Sequence, residues 1–232
     1  ANSFAKNNQW KRTAETLLTL CRSQLAQKKD EDASTTAEVF LKNHSSSPLA
    51  TELHYRLGES DYEQEKYKSA LEHFKRINSL EPLTKFTPFS LYNAAYCQLQ
   101  IEQNQAAEKT FTKLISQFPD SDLANLARTG RASAQRKLGN PKAAIEDLNE
   151  FLASEPESDR REIALYDLGL AHIDTQQWNA VTKTFQVLVD EFNSSKQMDR
   201  YLYELAWGLR SSDKETLAMN NFRTLASKFP TS

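Results

Sequence analysis

Glycine and proline are scarce in this 232-residue chain, with five and seven copies. Sheet-rich chains need both at their turns and low-complexity chains are built from them, so neither class fits. Charge of one sign is lacking too: 29 Lys and Arg against 31 Asp and Glu leave a net charge of −2. That balance gives no reason to expect nucleic acid or an anionic membrane as a partner. No apolar run is long enough to cross a bilayer as a helix. No signal peptide is visible, but the chain starts at Ala1 rather than Met. It is therefore expected to have been processed or trimmed, with room for such a segment in what was removed.

The residues of chemistry are also few and dispersed. The chain contains no HExxH, CxxC, Walker A or GxGxxG motif and no G-x-S-x-G elbow. The four histidines, His44, His54, His73 and His172, have no second ligand at a recurring metal spacing, and His54 reads as a structural histidine in a packing position. Nothing points to a preorganised catalytic pocket, so the chain is not expected to be an enzyme or to hold a cofactor or metal.

What is abundant is Ala, Leu, Glu, Lys and Gln, all good helix formers. One stretch, residues 57–82, organises the rest. Leu57-Gly58 is followed by Ala70, Phe74 and Ile77, which share one face of a helix at i, i+4 and i+7, and then by Pro82, expected to end that helix. Leu53 and Leu57 make a face on the preceding helix, and Gly58 leaves room for a close neighbour. The stretch predicts a helical hairpin. Stepping it along the chain by 37 residues, the small position at Gly58 falls on Cys21, Ala95, Ala132, Gly169 and Ala206. The Ala70 position falls on Ala33, Ala107, Ala144, Val181 and Ala218, and the Phe74 position on Ala37, Phe111, Leu148, Phe185 and Phe222. The Ile77 position falls on Phe40, Leu114, Phe151, Leu188 and Leu225. Six units fit without insertion, at 14–50, 51–87, 88–124, 125–161, 162–198 and 199–232, after a lead-in at 1–13. A fixed period of this length means stacked supersecondary units.

Leu57, Gly58, Ala70, Phe74 and Pro82, with Leu168, Gly169 and Phe185, resemble the tetratricopeptide (TPR) family. The period is longer than that family's usual ~34 residues; the extra residues follow the prolines at Pro119, Pro156 and Pro230. The longer variant is similar to the repeats of bacterial envelope proteins, of the outer-membrane assembly lipoprotein and Tol-Pal accessory types. The resemblance implies an all-α solenoid of about six helix–turn–helix repeats in a right-handed superhelix. It also implies a protein-binding role, and a place in the bacterial cell envelope or periplasm, with the cytoplasm as the alternative.

Several local expectations follow. Cys21 and Cys97 lie two units apart, too far for a disulfide, and read as buried small residues. Phe4 and Trp10 either cover the end of the first hairpin or belong to a truncated earlier unit. In unit four, Gly139 can end the first helix in a left-handed conformation, Asn140 can cap the second and Pro141 can open it. The same unit carries Arg128 and Arg131 where others carry leucine. Either that helix is displaced, or the arginines pair with acids such as Asp147 or Glu146; with Arg136 and Lys137 they form a basic patch that could clamp an acidic peptide group. No polar capping helix follows Ser232, so the chain is expected to be a segment of a longer protein or to have its open end covered by a partner.

The resemblance also picks out groove positions on the first helices. Three residues before the small position stand Tyr55, Tyr92, Tyr166 and Tyr203, and one residue after it Tyr96 and Trp207. Tyr and Trp give large contact area at low entropic cost, so these six and Arg136 are the expected peptide-binding residues. Part of the tyrosine series is also explained by packing alone. The Lys and Asn residues of the family's chaperone-tail clamp are not matched. The leading expectation is a scaffold that binds a peptide or partner protein on a concave face. The alternatives are a structural spacer within a larger envelope protein, or a platform in cell-wall or polysaccharide machinery.

Overall fold

The computed structural model describes residues 13–80 and 82–230; the expected roles of Phe4 and Trp10 lie outside them. Twelve α-helices, and no strand, are present among the described residues. They are α1 (Ala14–Ala26), α2 (Asp30–His44), α3 (Leu49–Glu63), α4 (Tyr67–Asn78), α5 (Thr87–Gln100), α6 (Asn104–Gln117), α7 (Asp122–Lys137), α8 (Pro141–Ala153), α9 (Ser158–Asp174), α10 (Trp178–Glu191), α11 (Met198–Ser211) and α12 (Glu215–Lys228). The chain divides into two compact units, one through Leu114 and one from Ile115. In the first, α1 packs on α2, α3 on α4, and α4 on α5. In the second, contacts run from α7 to α8, α9, α10, α11 and α12 in sequence.

The hairpin interiors hold the repeated apolar positions. Phe40, Ala70, Phe74, Ile77, Ala107, Phe111, Leu114, Ala144, Leu148, Val181, Phe185 and Leu188 are fully buried. A Cβ at Gly58 would come within 2.7 Å of the Phe74 ring, and one at Gly169 within 2.6 Å of the Phe185 ring. The small position is thus required by the aromatic side chain of the same hairpin. Unit six is looser: Phe222 and Leu225 are half-buried, and Leu217 and Met219 are exposed on α12.

The turn inside each hairpin has a common geometry. Lys28, Glu65, Glu102, Gly139, Gln176 and Asp213 all have positive φ, between 55° and 78°, and each is one repeat after the last. The following residue donates its N–H to the carbonyl five residues back, as Lys29 does to Gln24 and Gln177 to His172. This is the 6→1 bond of a Schellman motif, which satisfies a carbonyl left over at the end of the first helix. Only one of the six positions is glycine. Gly139 behaves as expected and Pro141 opens α8, but the Asn140 side chain makes no capping bond.

Pro82 does not end its helix. α4 stops at Asn78, with Ser79 as its last cap, and the prolines at 119, 156 and 230 likewise stand two or three residues beyond α6, α8 and α12. α10 ends at Glu191, two residues before Asn193, which occupies the same repeat position. Lacking an N–H, the prolines keep the next segment out of the helix rather than break it.

The arginines of unit four pair rather than displace their helix. Arg131 Nε donates to Asp147 Oδ2 at 2.7 Å and its Nη2 to Oδ1 at 2.5 Å. Arg128 reaches Glu150 at 2.5 Å and Asp147 at 3.7 Å. Asp147 is 4% exposed, and Glu146 is exposed. In unit two the corresponding places hold His54 and His73, whose Nδ1 atoms lie 3.0 Å apart. Cys21 and Cys97 are both free and buried, and burial pushes their thiols up to about 11 and about 12.

Candidate interaction surface

The six aromatic candidates do not share one environment. In the first unit, Tyr55 is 9% exposed, with its ring 5.1 Å from Phe86 and 6.2 Å from both Phe74 and Phe89. The segment before α5 folds over it, burial raises its phenol, and it serves the core. Tyr92 and Tyr96 are neighbours on α5, half-buried, with ring centroids 4.8 Å apart. Both lean on the buried Phe111 ring, at 6.4 Å and 5.2 Å. The i, i+4 spacing places them one above the other, and the fixed core ring holds their orientation.

In the second unit, Tyr166 is half-buried between Phe185 and Tyr201, at 6.0 Å and 5.8 Å. Tyr203 and Trp207 on α11 are 46% and 39% exposed, with ring centroids 6.3 Å apart. Both rest edge-on against Phe222 of α12. The Arg210 guanidinium lies 5.2 Å from the Trp207 ring centroid. Next to this pair is a cleft of about 230 Å³, walled by Ile173, Trp178, Val181, Tyr203, Glu204, Trp207, Gly208 and Ser211. α11 approaches α10 closely there because Gly208 has no side chain: a Cβ would fall 2.8 Å from Val181.

Arg136 sits apart from these aromatics. Its Nε donates to Asp174 Oδ2 at 2.8 Å, in an open polar cleft with Ser133, Lys137, Gly139 and Pro141. With Arg128 and Arg131 held by Asp147 and Glu150, three of the four cations in the expected basic patch already have carboxylate partners.

Trp178 and Glu204 escaped sequence reasoning. Trp178 opens a second helix, outside the groove positions the resemblance supplied. Glu204 looks like any surface acid, although its period-mate at 37 residues is Asp167. Burial raises the carboxyls of both. The buried polar atoms Gln24 Oε1, Gln98 Oε1, Gln135 Oε1 and His172 Nδ1 also fall in one repeat position, and none has a hydrogen-bond partner among the described residues. No cluster of three or more His, Cys, Asp or Glu side chains suited to a metal occurs among the described residues. No described helix is long and apolar enough to cross a membrane. The surface can therefore offer aromatic faces, an apolar cleft and single carboxylates.

Comparison with solved structures gives the same architecture. A tetratricopeptide repeat protein from Parabacteroides merdae superposes with a TM-score of 0.72 at 16% identity, over 94% of this chain and 80% of that one. PilW, described as a widely conserved type IV pilus biogenesis factor, gives 0.68 at 16% identity over 96% of each chain. MamA from Desulfovibrio magneticus RS-1, from residue 41 to its end, gives 0.66 at 21% identity over 77% of this chain and 94% of that one. At these identities the likeness shows the fold, an α-solenoid of TPR-like repeats. Comparison with curated protein sequences gives no significant match. The family model of the outer membrane lipoprotein YfiO, however, matches residues 84–232. That is more than half of the 232 residues, and the chain belongs to the YfiO outer membrane lipoprotein family.

Proposed function

We propose that this chain is a non-catalytic interaction scaffold of the bacterial cell envelope, acting on its periplasmic side, which binds a peptide or partner protein on the concave face lined by its first helices. The observation that carries the reading is the presentation of Tyr92–Tyr96 on α5 and Tyr203–Trp207 on α11. Each pair stands partly in solvent against a ring of its own hairpin, the buried Phe111 for the first and the half-buried Phe222 for the second. Rigid aromatics held this way contribute large contact area with little ordering cost. Tyr166 adds a half-buried ring in the second compact unit, Tyr55 belongs to the core of the first, and Arg136 is paired with Asp174. The family, an outer membrane lipoprotein one, supports the envelope assignment.

The test is a cross-linked pull-down from native envelope extract, with the unmodified chain beside a Tyr92→Ala, Tyr96→Ala, Trp207→Ala version. Circular-dichroism melts of the two must coincide, so that lost binding is not lost folding. A protein captured by the first and missing from the second is the expected result. Identical captures, or none, would overturn the scaffold reading in favour of a spacer that holds other domains apart.

A further inference from the structure

Resting on the scaffold reading, we infer that the cleft beside Glu204 is the receptor for a lysine side chain of the partner protein, with Trp178, Tyr203 and Trp207 around its stem and Glu204 at its ammonium. Glu204 forms no ion pair and no hydrogen bond with any described residue. It nonetheless stands in a cleft whose other walls are mainly aromatic and apolar. A carboxylate held there loses hydration without gaining a counter-charge, which is why burial raises its carboxyl. An incoming cation restores the missing partner, and an incoming apolar side chain does not.

Three further observations fit a cation rather than an anion or a neutral group. Aromatic faces attract cations through their quadrupole, and Trp207 already holds the Arg210 guanidinium at 5.2 Å; Arg210 is not among the groups walling the cleft. Asp167, one repeat earlier on α9, repeats the acidic position and is likewise raised by burial. The cation acting on it is Arg136, whose Nε is bonded to Asp174. Finally, a cleft of about 230 Å³ with apolar walls suits the four-methylene stem of lysine, which packs along apolar surface while its charged head reaches a polar one.

The experiment uses the full chain, labelled with ¹⁵N, and two probes: N-acetyl-lysine methylamide and N-acetyl-norleucine methylamide, which has the stem without the ammonium. The indole N–H resonances of Trp178 and Trp207 are followed at millimolar probe. Lysine amide is expected to move both resonances and norleucine amide to bind at least several-fold more weakly. Glu204→Gln, which keeps the shape, is expected to weaken the lysine probe about tenfold, the loss of one charge-assisted hydrogen bond, and to leave the norleucine probe unchanged. Equal binding of both probes, an unaltered lysine titration in Glu204→Gln, or immobile indoles would each overturn the inference. The comparison of the two probes on the unmodified chain needs no variant, so it decides the matter even if Glu204→Gln fails to fold. Indoles that ignore lysine, beside a pull-down partner lost with the aromatic variant, would leave the scaffold standing and remove only its lysine receptor.

Discussion

The hairpin turns make a quantitative claim about the backbone. Lys28, Glu65, Glu102, Gln176 and Asp213 hold left-handed φ values of 55–61°, where Gly139 holds 78°. All six side-chain positions are exposed, so trimming any of them to glycine forfeits no packing. A non-glycine residue in this region carries a steric cost of about 1–2 kcal/mol. Introducing glycine returns that cost but adds about 0.4–1 kcal/mol of unfolded-chain entropy. The net expectation for Glu102→Gly or Gln176→Gly is a stabilisation of about 0.5–1 kcal/mol each. The Gln176 and Asp213 turns border one cleft; if the five changes add independently, together they should give roughly 2.5–5 kcal/mol. Gly139→Ala is the reverse experiment: the site has open space, so its expected loss of about 1 kcal/mol comes from φ alone. Urea unfolding monitored by circular dichroism at fixed pH reads both series. Destabilisation by Gln176→Gly together with a neutral Gly139→Ala would refute the reasoning, because the turns would then not be strained.

Truncating Phe111→Ala removes a fully buried ring and should cost about 3–5 kcal/mol by urea midpoint; a loss below about 1 kcal/mol would contradict the 37-residue register. Asp147→Ala leaves Arg131 without its two-bond partner and should cost about 2–3 kcal/mol, most of it recovered by adding Arg131→Leu, since Leu57, Leu168 and Leu205 hold that repeat position. Gln135→Leu replaces a buried amide with an unpaired Oε1 by the residue found at Leu209 and should stabilise by about 1 kcal/mol; a clear loss would show that the amide is satisfied. His54 is lowered from 6.5 to about 4, first by burial and then by His73 and Arg76. The unfolded chain therefore takes up this proton first. The associated stability is complete above about pH 6.5 and is lost as pH falls toward about 4, by roughly 1–2 kcal/mol once solvent screening of this part-exposed site is allowed for. His54→Leu should flatten the dependence of the urea midpoint on pH in that window, and an unchanged pH profile would count against it.

The amino-acid sequence alone determined the helical hairpins and most of the core side chains in the repeated positions, though not Leu71, Tyr201, Leu202 or Leu209. An aromatic ring at Phe74 or Phe185 needs a small residue opposite it, and a small residue facing an apolar one recurs at these positions every 37 residues. Periodic packing demands of this kind are local enough to be written in residue type. The turn geometry was not legible, because five of its six left-handed residues are not glycine; the helices packed on either side impose a conformation that the turn residue would not choose. The tyrosine position shows the same limit. Tyr55, Tyr92, Tyr166 and Tyr203 occupy one repeat position, yet Tyr55 lies under Phe86 and Phe89 while Tyr203 stands in solvent. Likewise the periodicity could not show that Glu204, Trp178 and Trp207 line one cleft. Periodicity fixes which face of a helix a side chain occupies. What covers that face depends on residues a whole repeat away, and only packing in three dimensions brings those together.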